Sequence, residues 1–166
     1  MDENNKKKSA GTLHMIAMII SLIGSSVMII SLFLPYISSG YGEITSVSMI
    51  SYISLALGIG SVYAGGPELG IIMLVLVILI GLFALLAFIL SFALKPAGII
   101  TFTILSAVFF TLMCWDFVSR GVLDSSRYWS IAFYLYILGT ISCLFGAVFM
   151  KIQSKKIKQT EVQNEK

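Results

Sequence analysis

The sequence predicts an all-α membrane protein, a four-transmembrane-helix bundle with a small extracellular β-hairpin and short-helix loop between helices 1 and 2. Three observations predict it. The 166 residues are 58% hydrophobic and 11% charged, with mean hydropathy +0.98. Soluble domains carry about 25% charged residues. A chain this apolar cannot cover its surface with polar groups, so lipid is its solvent. Next, four stretches are long and apolar enough to cross a bilayer: 13–34, 70–94, 97–118 and 129–150. About 20 apolar residues in a helix span the hydrocarbon core, and unsatisfied backbone groups are costly there, so each stretch should be helical. Finally, the basic residues are distributed unevenly between the connections.

The N-terminal tail, 1–12, carries Lys6, Lys7 and Lys8. The first apolar stretch, 13–34, follows it and outlasts the usual signal-peptide core of about 7–15 residues, so it reads as an uncleaved span. The second connection holds Lys95, and Lys151, Lys155, Lys156 and Lys158 follow the fourth span. The first connection has no lysine or arginine, and the third has only Arg120 and Arg127. The positive-inside rule then puts both tails, 1–12 and 152–166, in the cytoplasm of a multi-pass plasma-membrane protein, and the four-helix domain runs over 13–151. The long first loop, 35–69, is expected outside, with the acidic Glu43 and Glu68.

That loop is the segment that insertion does not require. Its first part alternates like a short hairpin. Ser38 to Gly42 supply turn chemistry, and the residues from Thr45 to Met49 are strand formers. Residues 50–57 read as a short apolar helix, too short to span, and Gly58, Gly60, Gly65 and Gly66 loosen the return. Tyr36, Tyr41, Tyr52 and Tyr63 suit an interfacial aromatic belt. Candidate partner-binding residues are Tyr36, Tyr41, Glu43, Thr45 and Tyr52, because tyrosine is favoured in docking surfaces. The alternative is a lid over the mouth of the bundle.

Lipid tails are as apolar as leucine, so helices in a membrane meet through small residues rather than by the hydrophobic effect. The first span carries His14, Ala17, Ser21, Gly24, Met28 and Ser31 at alternating steps of three and four. The second has Gly81, Ala84, Phe88 and Ser91, and the fourth has Ala132, Tyr136, Gly139, Cys143, Gly146 and Met150. These are heptad seams of left-handed bundles. Thr103, Ala107 and Cys114 make a weaker seam on the third span. Helix packing is thus assigned to Ser21, Gly24, Gly81, Ala84, Gly139, Cys143 and Gly146. Lys95–Pro96 is a minimal hairpin with proline in the first turn of the third span. Pro67 and Glu68 open the second, and Asp124 or Ser125 caps the fourth.

The ends of the bundle and its interior offer little chemistry. His14 is the only histidine and has no partner ligands, so it reads as an interface anchor. Glu68 and Asp116 both fall near the outer ends of their helices, which is weak ground for an acid–base or cation pair. Cys114 and Cys143 differ in depth by on the order of 14 Å, too far for a disulfide. No charged residue sits near the middle of a span, which argues against a pump or proton-coupled carrier. No phosphate loop, nucleophile elbow or metal motif is present, so no catalytic, cofactor or metal residues are assigned and no cofactor is expected. A net charge of +3 collected at the chain ends is no nucleic-acid footprint.

The element LPYISSGYGEITSVSMI after the first span resembles that of small, uncharacterised four-helix membrane proteins of low-GC Gram-positive bacteria. The four-span topology with a large first outer loop is also similar to that of claudins. The claudin loop carries a Gly-Leu-Trp element and a cysteine pair, and this loop has neither tryptophan nor cysteine, so the likeness stops at topology. The expected role is non-enzymatic: an accessory, scaffold or protective partner of a membrane or envelope component, working through the outer loop and helix seams. The alternatives are a small oligomeric transporter, channel or pore-forming protein, and immunity against a membrane-active peptide. The expected partners are the lipid bilayer and another membrane protein or further copies of the chain, not nucleic acid.

Overall fold

The computed structural model describes the backbone of residues 3–37, 47–50, 67–119 and 129–164, and the side chains of 11–36, 48–50, 71–116, 118–119 and 129–155. Four long helices dominate. They are α1 (Glu3–Ser31), α2 (Pro67–Phe92), α3 (Pro96–Ser119) and α4 (Ile131–Asn164). Each contains a stretch long and apolar enough to cross a membrane, at Gly11–Ser31, Ile71–Phe92, Pro96–Asp116 and Ile131–Lys155. The chain is a multi-pass membrane protein by length and composition. Each helix lies beside the next in sequence, and α4 closes the ring against α1.

Two helices run further than the apolar pattern foretells. α1 begins at Glu3 rather than near residue 13, and α4 continues to Asn164, well past residue 150. Its 34 residues are about 51 Å of helix, against a hydrocarbon core of about 30 Å. Hydropathy marks where lipid ends, not where the backbone stops being helical. α4 begins at Ile131 with Ser130 before it, and the Phe133 N–H donates to the Ser130 carbonyl at 3.1 Å. The expected caps Asp124 and Ser125 lie outside the described residues.

Between α1 and α2, strand β1 (Pro35–Ile37) pairs antiparallel with β2 (Val47–Ser48), Pro35 opposite Ser48 and Ile37 opposite Val47. The expected turn and most of the expected short helix, along with Tyr41, Glu43, Thr45 and Tyr52, lie outside the described residues. Between α2 and α3 the chain reverses in three residues. Leu94 takes φ 53°, the Lys95 N–H reaches back to the Leu90 carbonyl at 3.2 Å, and Pro96 starts the next helix. This is a left-handed helix stop of the kind that glycine normally supplies.

The core is one contiguous cluster built from four heptad stripes. On α1 the stripe is Ala17, Ser21, Gly24, Met28 and Ser31; on α4 it is Ala132, Tyr136, Gly139, Cys143, Gly146 and Met150. On α2 it is Met73, Val77, Ile80, Ala84, Ala87 and Ser91. Gly81 and Phe88, expected on that seam, sit beside it, and the larger Ile80 takes the buried place. The α3 stripe is Ile99, Thr103, Ser106, Phe110 and Met113. Ala107 and Cys114, expected there, flank it. In both corrections the search for small residues misled, because α2 and α3 meet through bulk. Phe83 of α2 stacks on Phe102 and Phe109 of α3 at 5.8 and 5.7 Å between ring centres.

Candidate functional site

Among the described glycines, those of α1 and α4 bring two helix backbones into direct contact. A Cβ added to Gly146 would stand 2.6 Å from the Ser21 backbone nitrogen and 2.8 Å from the Ala17 carbonyl oxygen. One added to Gly139 would stand 2.8 Å from the Gly24 oxygen, and one added to Gly24 would strike the Cys143 backbone. Only glycine lets the two backbones come this near. The register is antiparallel, since Gly24 faces Gly139 and Cys143 while Ala17 and Ser21 face Gly146. Gly81 has no such role, because its added Cβ would meet only the Leu32 Cδ1 at 3.5 Å.

This approach brings buried polar groups together in layers. In the first, all four helices contribute. Ser91 of α2 donates to its own Ala87 carbonyl at 2.9 Å, which leaves Ser21 of α1 as the donor in the 3.0 Å Ser21–Ser91 bond. The Cys143 thiol of α4 then donates to Ser21 at 3.6 Å, and Thr103 of α3 donates to the Cys143 sulfur at 3.3 Å. Each hydroxyl has one proton, so the chain of bonds has a single direction, from Thr103 through Cys143 and Ser21 to Ser91. In the second layer Ser106 of α3 donates to the Ile80 carbonyl of α2 at 2.9 Å and accepts from the Tyr136 hydroxyl of α4 at 2.6 Å. Among the described residues no buried side-chain nitrogen or oxygen lacks a partner. Cys114 and Cys143 are both free thiols.

The third layer corrects the reading of Tyr36. This residue, expected on a docking surface, is 3% exposed. Its hydroxyl donates to Ser31 at 3.1 Å, since the Ser31 proton goes to the Met28 carbonyl at 2.6 Å. Its ring tilts against Phe110 of α3 at 5.7 Å, and its carbonyl accepts the Ser130 N–H at 2.9 Å. Phe110 in turn stacks on Tyr136 at 4.1 Å. Tyr36 therefore latches β1 to α1, α3 and the start of α4, and burial takes it out of reach of a partner. Burial also pushes its phenol well above the ordinary tyrosine range, with the Ser31 bond opposing part of the shift.

At the opposite end, Ser154 donates to the Met150 carbonyl at 2.9 Å and so accepts from His14 Nε2 at 3.2 Å. His14 thus joins α1 to α4, rather than standing alone at an interface. Among the described residues no three of His, Cys, Asp or Glu gather as a metal site.

Sequence reasoning found Ser21, Cys143 and Tyr136 as seam positions and missed what they do together. The available signal was polarity on the heptad stripe. Thr103 and Ser106, three residues apart on the buried stripe of α3, are the donors that tie α3 to α4 and α2. No protein-family model matches the chain, and comparisons with curated proteins and with solved structures find no significant match.

Proposed function

We propose that the protein is a non-enzymatic accessory or protective subunit of the plasma membrane that reaches its partner through the loop between α1 and α2. Both chain ends lie in the cytoplasm in this reading, and the loop lies outside. The observation that carries it is the self-sufficiency of the seams. Ser21, Gly24, Ala84, Gly139, Cys143 and Gly146 are all buried against other helices of the same chain, so they are not available to a second protein. The small-residue seams leave the list of partner surfaces. Tyr41, Glu43, Thr45 and Tyr52 remain on it, and Tyr36 leaves it because it is buried as the latch.

The test is crosslinking in native membranes followed by affinity capture, with the wild type beside a variant carrying Tyr41→Ala, Glu43→Gln and Thr45→Ala. A stoichiometric heterologous partner that is lost in the variant supports the proposal. Capture that survives the substitutions makes the loop a lid. A symmetric oligomer of the chain around a wet axis would replace the proposal with a channel.

A further inference from the structure

The antiparallel contact of α1 and α4 gathers charge at one end of the molecule. His14 and Ser154 are bonded, so α1 before residue 14 and α4 beyond residue 154 extend on the same side. The α2–α3 reversal with Lys95 is at that end too, because Ser91 bonds Ser21 and α2 closes there. With Lys95 and α4 from Lys151 on, this end holds eight lysines against Glu3 and Glu161 among the described residues, a net +6. The opposite ends of α2 and α3 carry Glu68 and Asp116, a net −2. Among the described residues the positive pole is thus at the α1–α4 end.

The lysines are spaced for a headgroup layer. Lys95, Lys151 and Lys155 are exposed. Lys151 and Lys155 sit one turn apart on α4, on the side opposite the buried Gln153. Lys156 and Lys158 follow in the same helix, and Lys6, Lys7 and Lys8 lie in α1. From Lys151 to Lys158 the helix rises about 10 Å. The polar layer outside the hydrocarbon core is about 5–7 Å deep, and the Debye length at physiological salt is about 8 Å. Each of these positions is therefore within reach of lipid phosphate charge. The positive-inside rule explains why such lysines stay on one side during insertion. It does not require two helices that meet at His14 and Ser154 to continue as helix on the same side with these lysines in them.

We propose that the lysine-bearing end of the α1–α4 pair is a binding surface for acidic glycerophospholipids, which collects them around the protein in preference to zwitterionic lipids. This inference is independent of the function proposed for the loop. The occupant is the bilayer's own anionic headgroup rather than free phosphate, because the site opens onto the membrane that the spans occupy.

The test reconstitutes the full chain in phosphatidylcholine vesicles containing spin-labelled phosphatidylglycerol or spin-labelled phosphatidylcholine. The relative association of the two labels with the protein is read from the motionally restricted spectrum. Symmetric vesicles make the result independent of insertion direction. The wild type should favour the phosphatidylglycerol label several-fold, and the preference should fade at about 1 M salt, where the Debye length is about 3 Å. The variant carrying Lys95→Gln, Lys151→Gln and Lys155→Gln should lose most of that several-fold preference. The matching Lys→Arg variant should keep it. Acetylating the lysines of the already inserted wild type should reproduce the loss without any question of folding. Equal association of the two labels with the wild type would overturn the proposal. So would a preference that survives acetylation, or one abolished by millimolar inorganic phosphate at constant ionic strength.

Discussion

Replacing one glycine at a time by alanine separates close backbone contact from mere small-residue composition. Gly146→Ala places a methyl 2.6 Å from the Ser21 nitrogen and 2.8 Å from the Ala17 oxygen. Ordinary contact begins at 3.4 Å, so α1 and α4 must part by about 0.8 Å there. Both obstructing atoms are backbone, and no side chain can swing away. A gap of that size forfeits a quarter to a half of the dispersion energy of the atoms it separates. Overpacking of this kind costs about 1–3 kcal/mol. Removing a glycine from a helix interior returns about 0.5–1 kcal/mol. The net expectation is a loss of about 1–2 kcal/mol for Gly146→Ala, and the same for Gly24→Ala. Gly81→Ala gains the same helix propensity and meets only Leu32 Cδ1 at 3.5 Å, so it should be neutral or stabilising by up to about 1 kcal/mol. Reversible unfolding in bicelles, by denaturing detergent or steric trapping, reads the three variants side by side. If Gly24→Ala and Gly146→Ala are as stable as Gly81→Ala, the α1–α4 approach described here is wrong.

Three further outcomes are expected. Ser106→Ala leaves the Tyr136 hydroxyl buried without its acceptor and should cost about 1–2 kcal/mol, whereas adding Tyr136→Phe should restore part of that, a non-additivity that a double-mutant cycle measures. Leu94→Gly should stabilise the protein by about 1 kcal/mol, because φ 53° is strained for leucine and free for glycine, and a melting curve in detergent reports it. Tyr36 stays neutral when folded but ionises near pH 10 when unfolded, so its contribution is whole below about pH 10 and declines above it; Tyr36→Phe should flatten the alkaline limb of stability against pH.

Most of the architecture is legible in the sequence, and the reasons differ by element. The buried stripes of α1 and α4 carry glycine, alanine and serine at heptad spacing, a pattern visible in the sequence because close approach in lipid depends on those residue types. On α2, Ala84 and Ser91 lie on the buried stripe, but Ile80 and Ala87 take the places expected for Gly81 and Phe88, because Gly81 looks like an approach glycine while the helix meets α3 through Phe83. Spacing alone cannot say which of two adjacent stripes is filled by bulk. Tyr36 departs from its expected surface place for a related reason. An aromatic residue just past a span fits a lipid interface, and only the positions of Ser31, Phe110 and Ser130 show that it turns inward. The hydrogen-bond chain through Thr103, Cys143, Ser21 and Ser91 joins residues from four separate spans, so no local pattern reveals it.

The central claim is that the small-residue seams close the chain on itself. Ser21 Oγ lies 3.6 Å from Cys143 Sγ, so a thiol at position 21 would face Cys143 directly. The decisive measurement is the mobility and thiol content of a Ser21→Cys, Cys114→Ser protein after mild oxidation in its membrane. Seams closed within one chain give a monomer with both thiols consumed and normal migration restored by reductant. A disulfide-linked dimer would show that the α1 and α4 seams face a second copy and would contradict that claim.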